Sequence, residues 1–204
     1  MKVTIIGAGN MARGIGTRVL AGGNDVELIG RNRAAAEALA EELGATVGDR
    51  VSGEVVVLAV PYDAVADVVA EHGDGLRGKV VVDITNPVDW STFDGLVTPS
   101  NSSAAEEIAK LLPEGTPVVK AFNTTFAPTL SAGEAGGQTL DVLLAGDDAD
   151  AKEMVAAFVE AGGLRPLDVG PLQRARQLEQ LGFLHITAQE PLGAGYGSAI
   201  KFHW

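Results

Sequence analysis

Short runs rich in Val, Ile and Leu recur along the chain, and longer stretches rich in Ala, Glu and Leu lie between most of them. The apolar runs read KVTIIG, DVELIG, EVVVLAV, KVVVDIT, PVVKAFN and LDVLLAG. Runs without polar alternation are typical of strands buried on both faces, as in a parallel sheet covered by helices. The intervening stretches have helical composition, and RAAAEALAEEL is the clearest of them. This β-α-β-α order predicts an α/β fold with a doubly wound, mostly parallel sheet.

The second half of the chain continues the same rhythm. In NSSAAEEIAKLL, Ser103 and Glu106 have the spacing of a capping box, which predicts that a helix starts there. After Gly146 the pattern predicts a helix in DAKEMVAAFVEAG, a strand in RPLDVG, a helix in LQRARQLEQLGFLHITAQ and a last strand in GSAIKFH. We therefore expect a main domain over residues 1–146 and a short C-terminal α/β extension over 147–204, packed on the same sheet.

A glycine-rich turn follows the first predicted strand and precedes a helical stretch. It fits the pattern G-x-G-x-x-[GA] with the residues Gly7, Ala8, Gly9, Asn10, Met11 and Ala12. The first Gly makes the tight turn, the second lets the backbone approach a pyrophosphate, and the Ala allows close helix-to-strand packing. The amide groups of the helix N-terminus then face the phosphates. The turn predicts a Rossmann-type dinucleotide site, and a merely tight turn is the alternative.

Two arginines follow the second predicted strand, where such folds usually place a carboxylate on the adenosine ribose. The residues there are Gly30, Arg31, Asn32 and Arg33. A carboxylate repels a 2′-phosphate, whereas a guanidinium group donates paired, charge-assisted hydrogen bonds to it. We therefore expect NADP rather than NAD. The alternative is a solvated helix start whose charge is balanced by Glu37 and Glu41.

Later strand ends supply further candidates for the ligand crevice, because ligands bind outside the carboxyl ends of such strands. The candidates are Val60 with Pro61, Asn86 with Pro87, and Asn123 in the segment FNTTFAP. Pro61 would shape a wall beside the dinucleotide, and Asn86 and Asn123 offer amide groups. The alternative for each is that it only ends a strand and starts a turn.

Two aromatic residues lie in the long loop NPVDWSTFDGLVTP. Trp90 and Phe93 have the size to cover a bound ring or to plug the edge of the core, and we expect the plug. Titratable chemistry is sparse: His72, His185 and His203 have no metal-ligand spacing, and we expect no metal. We expect His185 to be a packed helix residue. No catalytic residue is identified, and a hydride transfer between two redox rings needs little acid–base help.

The composition of the chain limits the classes of partner and site that we expect. The formal net charge is −12 at pH 7, which argues against nucleic acid and makes the two neighbouring arginines more informative. The chain has no Cys, so disulfides, thiolate nucleophiles and cysteine zinc sites are excluded. No apolar run reaches the length of a membrane span, and the N-terminus does not have the pattern of a signal peptide. We expect a cytoplasmic protein without a membrane partner, and a homodimer as the default for a small enzyme.

The motifs resemble those of the deazaflavin (coenzyme F-420)-dependent NADP oxidoreductases, a dinucleotide-binding family related also to the cytoplasmic domain of six-transmembrane ferric reductases. The resemblance runs through IIGAGNMARGIG, IGRNR, AVPYDAV, VVKAFNTTFA, LLAGDD, GLRPLDVGPL and GSAIKF. It implies three sets of contacts to bound NADP(H): Gly9, Asn10 and Met11 at the pyrophosphate; Arg31, Asn32 and Arg33 at the 2′-phosphate; Pro61, Asn86 and Ala127 along the nicotinamide half, with a backbone amide near Ala127 on the carboxamide.

One position departs from the deazaflavin enzymes. They tend to carry a His where this chain has Asn123, which is more similar to the ferric-reductase domain. We therefore expect an NADPH-dependent oxidoreductase that transfers hydride to a small-molecule redox acceptor, with coenzyme F-420, FMN or FAD as the second redox partner. The alternatives are a reductase of a small carbonyl or imine, and an NADP(H)-binding regulatory module without turnover.

Overall fold

An eight-stranded sheet with helices on both faces forms the body of the chain, and the computed structural model describes residues 1–204. The strands of this sheet are β1 (Lys2–Ile6), β2 (Asp25–Ile29), β3 (Thr46–Val47), β4 (Val55–Leu58), β5 (Val80–Asp83), β6 (Val118–Lys120), β9 (Asp141–Gly146) and β10 (Arg165–Asp168). A separate two-stranded ribbon joins β7 (Glu134–Ala135) to β8 (Gln138–Thr139). The helices are α1 (Asn10–Ala21), α2 (Arg33–Leu43), α3 (Val65–Leu76), α4 (Ala104–Leu111), α5 (Ala127–Ala132), α6 (Ala149–Ala161), α7 (Ala175–Thr187) and α8 (Gln189–Leu192). Short 3-10 turns precede α3 and α7.

The strand order places the crevice of the sheet at β1. Across the sheet the order is β10-β9-β6-β5-β4-β1-β2-β3, so the chain winds away from β1 in both directions. All neighbours pair in parallel except β6 with β9. A doubly wound sheet binds ligands where the winding reverses, outside the carboxyl ends of the strands. The predicted Rossmann-type, mostly parallel sheet is confirmed.

Each face of the sheet has its own apolar core. Val3 and Ile5 point to one face, where α1, α2, α5 and α6 cover them, and Ile6 points to the other, where α3 and α4 pack. The same alternation holds in β4, whose residues are all fully buried. Burial on both faces explains why the strands read as continuous apolar runs in the sequence.

Side-chain caps fix where several helices begin. Asn32 accepts a hydrogen bond from the Ala35 amide and starts α2, and Asp148 does the same for α6. Ser103 caps α4 by accepting from the Glu106 amide at 3.2 Å, so the predicted helix start is confirmed. Such caps satisfy amide donors that have no partner inside the helix.

The C-terminal segment adds one edge strand and two longer helices to the sheet. β10 pairs in parallel with β9, α6 packs beside α1, and α7 contacts α4 on the other face. The division at residue 146 stays a prediction. The predicted strand in GSAIKFH is wrong, because the Phe202 amide donates to the Asp141 carboxylate at 2.9 Å instead of to a neighbouring strand. No helix is both long and apolar enough to cross a membrane.

Candidate functional site

A cleft of about 710 Å³ opens at the carboxyl ends of β1, β4 and β5. It brings together half of the residues that the sequence predicted, namely Gly9, Asn10, Met11, Val60, Pro61, Asn86 and Pro87. Two larger open grooves lie elsewhere: one at the ends of α3 and α4, the other between α7 and the loop before α4. We place the site in the smaller cleft because only this one contains the glycine turn and the strand ends at which the winding reverses.

The glycine turn has the geometry that a pyrophosphate requires. Gly7 has a φ of +132°, and a Cβ there would lie 2.2 Å from the carbonyl oxygen of Ala59, so only glycine fits. A Cβ on Gly9 would meet nothing within 4 Å, so the space above this residue is open to a ligand. Ala12 is fully buried in the core between α1 and the sheet. The turn therefore has the tight bend and the open backbone surface that a pyrophosphate needs.

The three residues expected at the 2′-phosphate differ in whether their side chains already have partners within the chain. Arg31 is exposed and makes no hydrogen bond or ion pair within the chain. Arg33 is engaged with Glu37 at 2.9 Å and with Asp49, and these carboxylates raise its pKa. The Asn32 side chain is exposed, and its oxygen caps α2 by accepting from the Ala35 amide at 3.2 Å. Arg31 is thus the side chain available to an anion, whereas Arg33 would have to leave its present partners.

The two predicted asparagines form a pair at the ends of β5 and β6. The Asn123 amide group donates to the Asn86 side chain at 3.0 Å, and the Asn86 amide group donates to the Asn123 carbonyl at 2.7 Å. Asn123 is 4% exposed and also donates to the carbonyl of Leu178 in α7 at 2.8 Å. Asn86 lines the cleft, and Asn123 lies behind it. The structure therefore places Asn86, but not Asn123, where a ligand in the cleft could touch it.

Gly182 of α7 lies directly against this pair of asparagines, and the sequence alone did not indicate its role. A Cβ there would lie 2.5 Å from the Asn86 side-chain oxygen and 2.9 Å from the Asn123 amide nitrogen. The absence of a side chain lets α7 approach the asparagine pair directly. A glycine in the middle of a helical pattern is the signal that indicates a close packing contact.

The backbone is strained at Phe122, directly before Asn123. Phe122 has a φ of +60°, although it is bulky, and its ring is buried against Phe158 at 6.1 Å between ring centroids. The Phe122 carbonyl accepts from both the amide and the hydroxyl of Thr125. Left-handed conformations of bulky residues are uncommon and cluster at functional sites.

A buried ionic cluster lies beneath the cleft. The Lys120 ammonium donates to Asp83 at 2.8 Å, to Glu179 of α7 at 2.8 Å and to the carbonyl of Thr85 at 2.5 Å. All three charged side chains are at most 1% exposed. Burial opposes the charge on Lys120, but the attraction of the two carboxylates outweighs it and raises the pKa of Lys120. Burial likewise raises the pKa of Glu179, against the pull of Lys120.

The same cluster reaches a helix terminus and the cleft wall. Glu179 accepts from the first two amides of α4, at 2.8 Å for Ala104 and 3.3 Å for Ala105. Asp83 accepts from the Thr85 amide at 2.8 Å, and Thr85 lines the cleft just before Asn86. A carboxylate at a helix N-terminus is stabilised by the unpaired amides there. The cluster therefore joins β5, β6, α4 and α7 at one point below the cleft.

Two of the remaining candidates, Ala127 and His185, lie outside the cleft lining. Ala127 begins α5, and its amide makes no hydrogen bond within the chain. His185 is buried in α7, its Nδ1 lies 3.1 Å from the Thr124 carbonyl, and burial lowers its pKa, as suits a packed helix residue. The prediction that Trp90 and Phe93 plug the core edge is wrong: Trp90 is 67% exposed and lines the cleft.

Comparison with known proteins agrees with this geometry. A family described as NADP oxidoreductase, coenzyme F420-dependent, matches residues 2–87. The F420-dependent NADP reductase of Methanothermobacter thermautotrophicus is 33% identical over 200 residues, which cover 89% of this chain and 86% of that protein. The chain belongs to the F420-dependent NADP oxidoreductase family. It is an NADP-dependent oxidoreductase, with NADP(H) as its cofactor.

Two further relatives extend the comparison within and beyond the family. A solved structure from Arthrobacter sp. FB24, whose name presents it as a candidate F420-dependent NADP reductase, has a TM-score of 0.87 at 27% identity and covers 100% of both chains. The metalloreductase STEAP3 of Rattus norvegicus is 34% identical over 182 residues, which cover 88% of this chain and 36% of that protein. The chain therefore matches about a third of the length of the rat protein.

Proposed function

We propose that the chain transfers hydride between NADP(H) and a flavin or deazaflavin acceptor. The observation that carries this proposal is the cleft itself. It joins the glycine turn, the strand ends at Pro61 and Asn86 and the exposed Trp90 ring in one cavity, and its lining contains no His, Lys or Arg. A wall of this kind suits two flat rings held against each other better than it suits proton transfer to a small substrate.

The chain's own residues would divide the work of holding the cofactor. The amides after Gly7 and Gly9, with Asn10 and Met11, would hold the pyrophosphate at the start of α1. Arg31 would bind the 2′-phosphate, with Arg33 joining it on release from its carboxylate partners. The wall formed by Val60, Pro61, Asn86 and Pro87 would keep water from the nicotinamide side, and bound NADPH supplies the hydride.

A reductase of a small carbonyl or imine is the second candidate, and one observation favours it. Tyr62 lines the cleft beside Pro61. Burial raises the pKa of Tyr62, with the nearby carboxylates of Glu107, Glu179 and Asp83 adding to the effect. Its hydroxyl is protonated at neutral pH and can donate a proton, although the raised pKa makes it a weaker acid than an ordinary Tyr.

An NADPH oxidation assay tests the proposed function. Purified chain is mixed with NADPH and, in separate reactions, with F420, FMN, FAD and a panel of small aldehydes and imines. We expect turnover with F420 or a flavin, and unchanged turnover in Tyr62→Phe. Turnover with an aldehyde or imine alone, abolished in Tyr62→Phe, would support the second candidate. Tight NADPH binding without oxidation of any acceptor would support a regulatory module.

We also propose a homodimer. Several large apolar side chains are exposed in the last part of the chain, including Leu192, Tyr196, Phe202 and Trp204. Exposed apolar groups of this kind are covered in many small oligomeric enzymes. Sedimentation velocity at enzyme concentrations used in the assay gives the mass directly, and a monomer would contradict the proposal.

A further inference from the structure

The buried ionic cluster and the asparagine pair join the same three elements. Lys120 ends β6, and its ammonium donates to Asp83 at the end of β5 and to Glu179 in α7, both at 2.8 Å. Asn123 lies just beyond β6, and its amide group donates to Asn86 at 3.0 Å and to the α7 carbonyl directly before Glu179 at 2.8 Å. The two sets of contacts are therefore neighbours, with the ionic set beneath the cleft and the amide set at it.

The short segment between the two sets is held by charged side chains rather than by the sheet. The Thr85 amide donates to the Asp83 carboxylate at 2.8 Å, and the Thr85 carbonyl accepts from the Lys120 ammonium at 2.5 Å. Thr85 lies beyond the end of β5 and makes no hydrogen bond to another main-chain group. Buried main-chain groups need partners, so the ionic cluster determines where this peptide lies.

Asn86 follows this peptide directly and lines the cleft. Its amide nitrogen donates to the Asn123 carbonyl at 2.7 Å, and its amide oxygen accepts one bond from the Asn123 side chain. A side-chain amide has two hydrogens to donate and two lone pairs to accept with. One hydrogen and one lone pair of Asn86 therefore remain for a ligand.

The charges of the cluster are a costly way to fill space. Lys120, Asp83 and Glu179 are each at most 1% exposed. Apolar side chains of similar volume are often as stabilising as a buried ion pair, or more so. An apolar side chain at position 120 could not donate to the Thr85 carbonyl, however, whereas the ammonium does.

We propose that Lys120 is a positioning residue for hydride transfer, which holds Asn86 against the nicotinamide half of NADP(H) by binding the Thr85 carbonyl. This inference rests on the proposed function, since it places the nicotinamide beside Asn86. Lys120 itself is 0% exposed and does not line the cleft, so it acts on the cofactor only through the segment that it holds.

Steady-state kinetics with F420 and FMN test this role. We expect Lys120→Met to lower kcat by roughly ten- to a hundredfold, the size of loss that a small displacement of a positioning group causes. The NADPH Kd should stay nearly unchanged, because the proposed phosphate contacts at the glycine turn and Arg31 are untouched. A wild-type kcat in Lys120→Met would show that the positioning role is wrong while the proposed function stands.

A stability control is needed, because Lys120→Met leaves two buried carboxylates without a cation. Val155→Ala serves as this control: it removes buried apolar atoms from α6, and Val155 lies outside the cleft lining. It should lower the urea midpoint and keep the wild-type kcat. A fall in kcat similar to that of Lys120→Met would attribute both losses to stability and overturn the proposal.

A double-mutant cycle shows whether Lys120 acts through Asn86. If it does, Lys120→Met should lower kcat little further in an Asn86→Ala background. Independent losses that multiply would leave Lys120 with a structural role only. The combined variant Asp83→Asn, Lys120→Met, Glu179→Gln removes all three buried charges and should regain stability, yet keep the low kcat because Met cannot bind the Thr85 carbonyl. A wild-type kcat in this variant would also contradict the proposal.

The emission of bound NADPH separates this inference from the proposed function. The reduced nicotinamide fluoresces, and its emission depends on the surroundings of the ring whether or not an acceptor is present. At saturating protein, Lys120→Met and Asn86→Ala should change this emission in the same direction, and Val155→Ala should not change it. If the wild type reduces neither F420, FMN nor FAD, the proposed function fails and this comparison alone decides the role of Lys120. Wild-type emission in Lys120→Met would then overturn it.

Discussion

The two ends of the cleft are built in different ways. The end at which we propose that the adenosine half of NADP(H) binds, termed the adenosine end, comes from one β-α-β unit, in which the glycine turn and Arg31 lie within the first 31 residues. The end at which we propose that the nicotinamide lies, termed the nicotinamide end, is assembled from β5, β6 and α7, through hydrogen bonds between residues 37 to 59 positions apart. The first end depends on local backbone geometry, and the second depends on the docking of a late helix. Damage to α7 should therefore alter the nicotinamide end and spare the adenosine end.

The largest loss of stability is expected when the buried ionic cluster at the nicotinamide end is disrupted. Lys120→Met leaves Asp83 and Glu179 facing each other without a cation, and we expect a loss of about 3–5 kcal/mol in the free energy of unfolding. Urea denaturation measures it. Lys110→Met, which removes an exposed lysine paired with Glu107, should change stability by less than about 1 kcal/mol. Equal midpoints for the two variants would show that the cluster does not hold this end together.

The adenosine end is tested by its two arginines. Arg31→Ala should weaken NADPH binding by roughly 1.5–3 kcal/mol, because it removes charge-assisted hydrogen bonds to the 2′-phosphate, and should leave NADH binding unchanged. Arg33→Ala should cost less, since Arg33 already has Glu37 and Asp49 as partners. Titration calorimetry with both cofactors gives the two affinities. An equal loss for NADPH and NADH would sink the 2′-phosphate assignment.

A single added methyl group at Gly182 tests the contact between α7 and the asparagine pair. Gly182→Ala puts a Cβ into the asparagine pair, and overpacking of this kind costs about 1–3 kcal/mol. We expect a lower kcat, with the NADPH Kd nearly unchanged because the adenosine end provides most of that binding. Gly73→Ala is the control, since a Cβ at Gly73 in α3 meets nothing within 4 Å. A wild-type kcat in Gly182→Ala would contradict the close docking of α7.

The smallest effect concerns the pH dependence of the same helix. Burial lowers the pKa of His185, so the unfolded chain binds this proton more readily than the folded chain. Its contribution to stability is therefore complete above the ordinary His pKa of about 6.5 and is lost as pH falls through the lower folded value. Urea midpoints measured across this range should fall with pH in the wild type and fall less in His185→Gln. His203→Gln, at an exposed position, is the matched control for the loss of a histidine.

What the sequence could predict follows the same division. Gly7, Gly9 and Ala12 were recognisable because each role depends on neighbours a few residues away. Asn32 shows the limit even there, since an Asn before a helix serves equally as a cap, and the structure uses it as one. Local spacing predicts where a group lies, but competing local partners decide what it does.

The nicotinamide end was hidden because its partners are distant in the chain. Lys120 and Asp83 each end an apolar strand, and Glu179 lies in the distant helix α7, so no single segment shows the cluster. Charged residues at the ends of neighbouring buried strands were the available signal. The GSAIKFH segment failed in the opposite sense: its alternation suits a strand, but the Asp141 carboxylate, bound also by Arg165 and Lys201, takes its backbone amide.

The position of Glu179 in the chain also sets an order of events during synthesis. Lys120 and the first amides of α4 find their partner only in Glu179 of α7, which is synthesised later. The nascent chain therefore contains the whole glycine turn long before it contains the ionic cluster that forms the floor of the cleft. Domains form from the N-terminus as they leave the ribosome. The floor of the cleft can therefore be completed only after α7 has left the ribosome, whereas the residues of the glycine turn emerge first.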